Sequence, residues 1–242
     1  MMGPALVQCT ALGSFGRFGN QLFQYAFTRA YAERYGALLE VPEWLGRRVF
    51  GLDDPYPSRV LPRSMQDCVP WGQVDIDLFG YFQKTECLSI LSRDRLRQWF
   101  RIRPQWEAKA QLPGKPYIAA HLRRGDYVSR YSSLYCTVSR NSYIRACEQF
   151  ELDASQLVWV SDEWPRPFCD PELDFMSDFL ILKHADVLLR GNSTFSFWAG
   201  VLSDGRVFSP LVSGLRGEHD VPFVPGNWPR CADFCDDLTI PD

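Results

Sequence analysis

From Tyr117 to Phe208 short apolar runs alternate with segments of helical period, and that alternation leaves few folds open. Tyr117 to His121, Leu157 to Val160, Val187 to Leu189 and Val207-Phe208 read as strands. Ser139 to Phe150, Leu173 to His184 and Thr194 to Leu202 read as the helices between them, the first with Tyr143, Ile144, Cys147 and Phe150 on one face. Uniformly apolar strands, each followed by a helix, predict an α/β fold with a parallel sheet covered on both sides. The amino-terminal part opens the same way. Leu6 to Leu12 reads as a strand, Asn20 to Tyr35 as a helix with Leu22, Phe23, Ala26, Phe27, Ala30 and Tyr31 at helical spacing, and Leu38 to Val41 as a second strand. From Pro42 to Asp77 the pattern dissolves into a long irregular excursion, followed by a short strand at Leu78 to Phe82 and a helix at Ser92 to Phe100. Pro104, Pro113-Gly114 and Pro116 predict a domain boundary before Tyr117, giving domains 1–112 and 113–242.

Composition removes several functions. At 242 residues, 46% hydrophobic and 23% charged, the chain has enough apolar sequence for a core in one large domain or two small ones. A net charge of −3 supplies no basic field for nucleic acid. No run approaches the roughly twenty apolar residues of a membrane helix, and Met1-Met2-Gly3-Pro4 shows no export signal, so the expectation is a soluble cytoplasmic protein. Eight cysteines without a Cys-x-x-Cys pair, and three histidines, argue against a zinc site. Reduced, buried thiols are the expectation, with Cys231 and Cys235 close enough in sequence for a local bridge in an oxidising compartment.

Polar clusters follow three of the apolar strands. The first is His121-Leu122-Arg123-Arg124-Gly125-Asp126, which delivers two guanidinium groups and a carboxylate to a strand end. Ligands of open α/β sheets bind beyond the carboxyl ends of strands, and adjacent arginines suit the oxygens of a diphosphate. Surface arginines paired with neighbouring carboxylates are the plainer reading of the same residues. Gly191-Asn192-Ser193-Thr194-Phe195 follows the Val187 strand and opens a helix, where hydroxyls and backbone amides attract phosphate or simply cap the helix. Ser161-Asp162-Glu163 ends the Leu157 strand, and a carboxylate there suits the paired donors of guanine or an ordinary turn. The amino-terminal loop Gly13-Ser14-Phe15-Gly16-Arg17-Phe18-Gly19 also sits between strand and helix, with Glu40 about twenty residues beyond its glycines as a dinucleotide site requires. Its G-x-x-G-x-x-G spacing departs from the Gly-x-Gly fingerprint of such sites.

Taken together, Gly16-Arg17-Phe18-Gly19-Asn20-Gln21-Leu22-Phe23-Gln24-Tyr25-Ala26, Gly80-Tyr81-Phe82-Gln83, His121-Leu122-Arg123-Arg124-Gly125-Asp126-Tyr127, Val160-Ser161-Asp162-Glu163-Trp164 and Asn192-Ser193-Thr194-Phe195-Ser196-Phe197-Trp198-Ala199 resemble the α1,2-fucosyltransferase family, in the family's order. The resemblance implies a GT-B fold, two Rossmann-like domains with parallel sheets facing a central cleft. It also implies GDP-fucose as donor, inverting transfer to the 2-hydroxyl of a galactose-terminated glycan, and no metal or other cofactor. It places Arg124 on the β-phosphate with Arg123 and His121 beside it, Asp162 on the guanine side, and Asn192, Ser193, Thr194 and Phe195 around the diphosphate. Arg17 and Asn20, between Gly16 and Gly19 and just after them, reach the phosphates from the first domain. An inverting transfer needs a base, and Asp126 is the candidate; its alternative role is to orient an arginine by a salt bridge. Asp75-Ile76-Asp77 has the Asp-x-Asp form that holds a metal in other sugar transferases and reads here as a solvated loop. The chain lacks the membrane anchor of animal Golgi members, as expected of the bacterial or viral type. A different linkage or GDP-sugar, or a nucleotide- or glycan-binding module without turnover, are the alternatives.

Overall fold

A computed structural model describes residues 3–227, and their contacts divide them into two compact units, residues 3–103 and 104–227. Cys231 and Cys235 lie outside the described residues.

The first unit is built on a small parallel sheet of β1 (Leu6–Gln8), β2 (Leu38–Glu40) and β3 (Ile76–Asp77), in the order β2-β1-β3. Helix α1 (Phe18–Arg34) connects β1 to β2. It is buried nearly all round: Leu22, Phe23, Ala26, Phe27, Ala30 and Tyr31 pack inward as their spacing predicts, but Gln21, Gln24 and Thr28 are buried too. Buried amides need partners. Gln21 Nε2 donates to the carbonyls of Gly13 (3.3 Å) and Gly16 (3.0 Å), and Gln24 Nε2 to that of Phe15 (2.8 Å), so both side chains hold the loop that precedes their own helix. The first strand is shorter than its apolar run because Thr10 onward turns into that loop. The excursion after β2 contains α2 (Leu45–Phe50), and α3 (Thr85–Leu88) and α4 (Arg93–Trp99) follow β3, the last capped by Ser92.

Two expectations for this unit are corrected. Asp75-Ile76-Asp77 is not a solvated loop: Asp77 is buried in β3, where it accepts from Thr10 N (2.8 Å), Thr10 Oγ1 (2.6 Å) and Arg63 Nε (2.8 Å). Asp75 accepts from Leu6 N (3.1 Å) and Arg59 Nη2 (2.5 Å), so both carboxylates tie the sheet to its flanking loops. Leu78 to Phe82 is not a strand either. The Asp67 carboxylate takes the Tyr81 and Phe82 amides that a sheet neighbour would have taken, at 2.6 and 3.1 Å. Glu40 is likewise engaged, accepting from Gln8 Nε2 (2.7 Å), Ser58 N (3.0 Å) and Ser58 Oγ (2.6 Å). Burial opposes its charge, but the bonds from Ser58 and Gln8 outweigh that and hold its pKa below the usual carboxylate value.

The second unit begins with α5 (Pro104–Glu107) and has β4 (Ile118–Leu122), α6 (Gly125–Ser129), β5 (Cys136–Val138), α7 (Arg140–Gln149), β6 (Leu157–Ser161), α8 (Met176–His184), β7 (Val187–Leu189), α9 (Thr194–Leu202), β8 (Arg206–Pro210), β9 (Gly217–His219) and β10 (Phe223–Pro225). Its main sheet runs β10-β8-β7-β4-β6, parallel except for the edge strand β10. All of β4 and β7 is buried, as uniformly apolar strands require. Ile118, Ala120, Leu122, Leu189 and Phe208 of the sheet pack with Tyr143 and Cys147 of α7 and with Phe223. Ile144, expected on the same buried face, is exposed; Ala146 faces the core instead. Strands β5 and β9 pair with each other in a separate two-stranded sheet that apolar periodicity did not announce.

Candidate functional site

Strand order locates the site. The chain leaves β4 for β6 on one side and later places β7 on the other, so the topology switches between β4 and β7. Beyond the carboxyl ends of such a pair the following loops part and leave a crevice. Here the parting loops are Arg123-Arg124 after β4 and Arg190-Gly191-Asn192-Ser193 after β7. They lie against each other at Gly191: a Cβ there would fall 2.5 Å from the His121 carbonyl oxygen and 3.6 Å from the Arg123 Cβ, so only glycine fits.

Each arginine is held by carboxylates. Arg123 pairs with both Asp162, at the end of β6, and Asp126, in the first turn of α6. The other oxygen of Asp162 accepts the Arg124 backbone amide at 2.9 Å, so one carboxylate fixes the side chain of one arginine and the main chain of the next. The Arg123 guanidinium also lies 5.0 Å from the Tyr127 ring centroid. Arg124 turns away to β9, where its two terminal nitrogens grip Glu218 at 3.1 and 3.2 Å, with Glu163 3.6 Å from Nε. The bonds from Glu218, and then its charge and that of Glu163, raise the Arg124 pKa further above its ordinary value.

His121 is buried in β4. Burial, with the nearby Arg123 and Arg190 charges, pushes its pKa down to about 3, so the imidazole is neutral at neutral pH. Its carbonyl accepts from Tyr143 Oη at 2.6 Å, and its ring lies 5.8 Å from that of Phe195. Ser193 caps α9 by accepting from Phe195 N at 3.2 Å, and Asn192 is buried with Nδ2 3.4 Å from the Cys136 carbonyl. Thr194 and Phe195 are half-buried in the first turn of the helix. The backbone amides of that turn and the helix dipole face the same strand ends as the arginines.

His121, Arg123, Asp126, Asp162, Asn192, Ser193, Thr194 and Phe195 therefore lie at or just beyond the carboxyl ends of β4, β6 and β7 in the second unit, with Arg124 beside them but directed toward Glu218. Gly16, Arg17, Gly19 and Asn20 belong to the first unit, at the loop before α1. There Gly16 has φ 82, Asn20 Oδ1 accepts from Gln83 Nε2 at 3.0 Å, and Arg17 is exposed. Sequence reasoning passed over Arg190, which is 1% exposed and lies 5.5 Å from the Phe197 ring centroid. A buried arginine costs heavily to desolvate, and its position directly after an apolar strand was the available signal. Glu218 and Tyr143 were also missed, because each acts through a contact distant in sequence. Among the described residues no group of three or more His, Cys, Asp or Glu side chains is placed to hold a metal ion, and no helix is long and apolar enough to cross a membrane.

No family model and no curated protein matches the chain. Solved structures do. The crystal structure of selenomethionine fucosyltransferase NodZ from Bradyrhizobium aligns over 93% of this chain and 99% of its own, with a TM-score of 0.54 at 14% identity. NodZ alpha-1,6-fucosyltransferase soaked with GDP-fucose aligns over 92% and 99% with a TM-score of 0.52 at 14% identity. The same enzyme co-crystallised with GDP gives 94%, 100% and 0.51, again at 14% identity. The chain has the GT-B-like fold of these structures, with Rossmann-like parallel-sheet domains.

Proposed function

We propose that the protein is a glycosyltransferase that moves L-fucose from GDP-fucose to the 2-hydroxyl of a galactoside, with inversion and without a metal. The observation that carries this reading is that Arg123 and Arg124 follow β4 directly, and the Ser193-capped amino terminus of α9 follows β7, at the switch point between those two strands. Departure of a nucleoside diphosphate develops charge on the β-phosphate, and Arg124, Arg123 and the α9 amides are the groups that receive it. The neutral His121 imidazole offers a hydrogen bond without adding charge. Asp126 is the general base in this reading: it takes the proton of the acceptor hydroxyl as that oxygen attacks the anomeric carbon from the face opposite the departing diphosphate, and its pair with Arg123 holds the carboxylate in place. Arg17 and Asn20, on the first unit, enter the reading through their sequence motif. A second reading keeps the donor and changes the linkage, and it is favoured by the description of two of the similar structures as an alpha-1,6-fucosyltransferase.

Incubation with GDP-fucose, lactose and a chelator tests the proposal. Release of GDP together with a fucosylated trisaccharide is expected, and NMR of the product assigns the linkage. GDP binding without product would leave a binding module, and abolition by the chelator would establish a metal-dependent enzyme.

Glu218 offers a finer check. Its carboxylate occupies the Arg124 fork in the way a phosphate would, so it competes with the donor. The glutamate is half exposed, and such a pair contributes up to about 1 kcal/mol. Glu218→Gln is expected to tighten GDP binding by up to about fivefold in calorimetric titration. Weaker binding in that variant would mean that Glu218 orients Arg124 for the phosphate instead of blocking it.

A further inference from the structure

Resting on that reading, we propose that Tyr127 and Tyr135 are positioning residues of the donor site: stacked on each other, their rings set the plane of the Arg123 guanidinium and tie it to the β5–β9 ribbon. Two carboxylates do not fix a guanidinium completely. Arg123 donates through Nη1 to Asp162 and through Nη2 to Asp126, and both bonds lie at the edge of the planar group. Bonds at those two nitrogens leave the plane free to rock about the line that joins them. A surface against the face removes that freedom. The Tyr127 ring supplies it, with the guanidinium carbon over the ring at 5.0 Å from the centroid. The Arg123 side chain is 11% exposed, so little solvent competes for the contact.

The ring is itself held. Tyr127 lies in α6, a helix of five residues and too short to persist without tertiary contacts. Its ring stacks on Tyr135 with centroids 4.6 Å apart and planes 17° from parallel, and Tyr131 meets Tyr135 edge-on at 6.0 Å. Between the two stacked rings the chain turns back on itself: Tyr131 N donates to the Asp126 carbonyl at 2.8 Å and Tyr135 N to the Tyr131 carbonyl at 2.9 Å. Tyr135 then leads directly into β5, whose three residues are all buried, and its own carbonyl accepts from Gly217 N of β9 at 3.0 Å.

The ribbon thereby supports more than one part of the site. Glu218 of β9 pairs with Arg124, and the Cys136 carbonyl of β5 lies 3.4 Å from Asn192 Nδ2. Arg123 joins the same support through the two rings. Charge that develops on a departing diphosphate is stabilised most by donors already aligned, because they need no reorganisation during the reaction. The stacked rings supply that alignment for Arg123, and Asp126 shares it through the same guanidinium.

The test is a double-mutant cycle read by calorimetric titration with GDP. Tyr127→Leu, which keeps apolar bulk and removes the ring face, is expected to weaken GDP binding about fivefold, and Tyr127→Phe to bring it back to within about twofold of wild type. In an Arg123→Gln background Tyr127→Leu is expected to add almost nothing, because the ring acts through that guanidinium. Equal factors in the two backgrounds, or no rescue by phenylalanine, would overturn the assignment. NMR with isotope-labelled arginine gives a readout that needs no ligand. The Arg123 Nε–H proton, assigned by its absence in Arg123→Gln, is expected upfield of the ordinary arginine range through the ring current of Tyr127. It should return to that range in Tyr127→Leu and move part of the way in Tyr135→Leu. An ordinary position in the wild type, or a signal that neither substitution moves, overturns the proposal. If the wild type binds no GDP, the donor reading fails on its own; there, or if Arg123→Gln binds too weakly to titrate, the NMR signal decides whether the rings set the guanidinium.

Discussion

Arg124→Ala is expected to abolish measurable GDP binding at concentrations that saturate the wild type. A guanidinium fork gives two charge-assisted bonds to a phosphate, each contributing about 1.5–3 kcal/mol, so their loss weakens binding by roughly two orders of magnitude or more. Calorimetric titration reads this directly, and a thermal-shift series gives the same ranking because ligand binding raises apparent stability. Arg124→Lys is expected to recover little, since an ammonium cannot reproduce the planar fork. The fold should tolerate the alanine, because Arg124 leaves the sheet and its partners Glu218 and Glu163 are partly exposed. Asp126→Asn separates binding from chemistry in the same experiment. It is expected to keep GDP affinity while losing turnover, as a base must. Normal binding by the Arg124 variant would remove the diphosphate from this crevice altogether.

The second unit was legible in the sequence because its central strands are apolar on both faces. Ile118–Leu122 and Val187–Leu189 carry their burial in their composition, and the polar residues after them mark the strand ends without any knowledge of pairing. What sequence could not show depends on partners far along the chain. Strand β3 has two residues, one of them an aspartate, and exists because Asp77 finds the Thr10 amide and hydroxyl. Leu78 to Phe82 looks like a strand by composition but is turned aside by Asp67, which no periodicity signals. The same limit applies to the site. Arg123 and Arg124 are identical in type and adjacent, and only the structure shows that one is enclosed by Asp126 and Asp162 while the other faces Glu218.

That enclosure makes Asp162 the most informative single substitution after Arg124. Its two oxygens hold the Arg123 guanidinium and the Arg124 amide, so it fixes the turn on which both cations depend. Asp162→Asn keeps the shape and removes the charge, leaving Arg123 with Asp126 as its remaining anionic partner among the pairs described. Asp162 is partly exposed, which discounts the ion pair, but the site needs both arginines in register, and a loss of about tenfold or more in GDP affinity is expected. The pattern across nucleotides decides what the carboxylate does. If it braces the arginines, affinity for GDP, ADP and UDP falls by the same factor, because every diphosphate meets the same disordered fork. If it reads guanine, as the family resemblance places it, GDP alone weakens and the preference for GDP over ADP disappears. The bonds to Arg123 and to the Arg124 amide favour the first outcome, and a selective loss of guanine preference would overturn it.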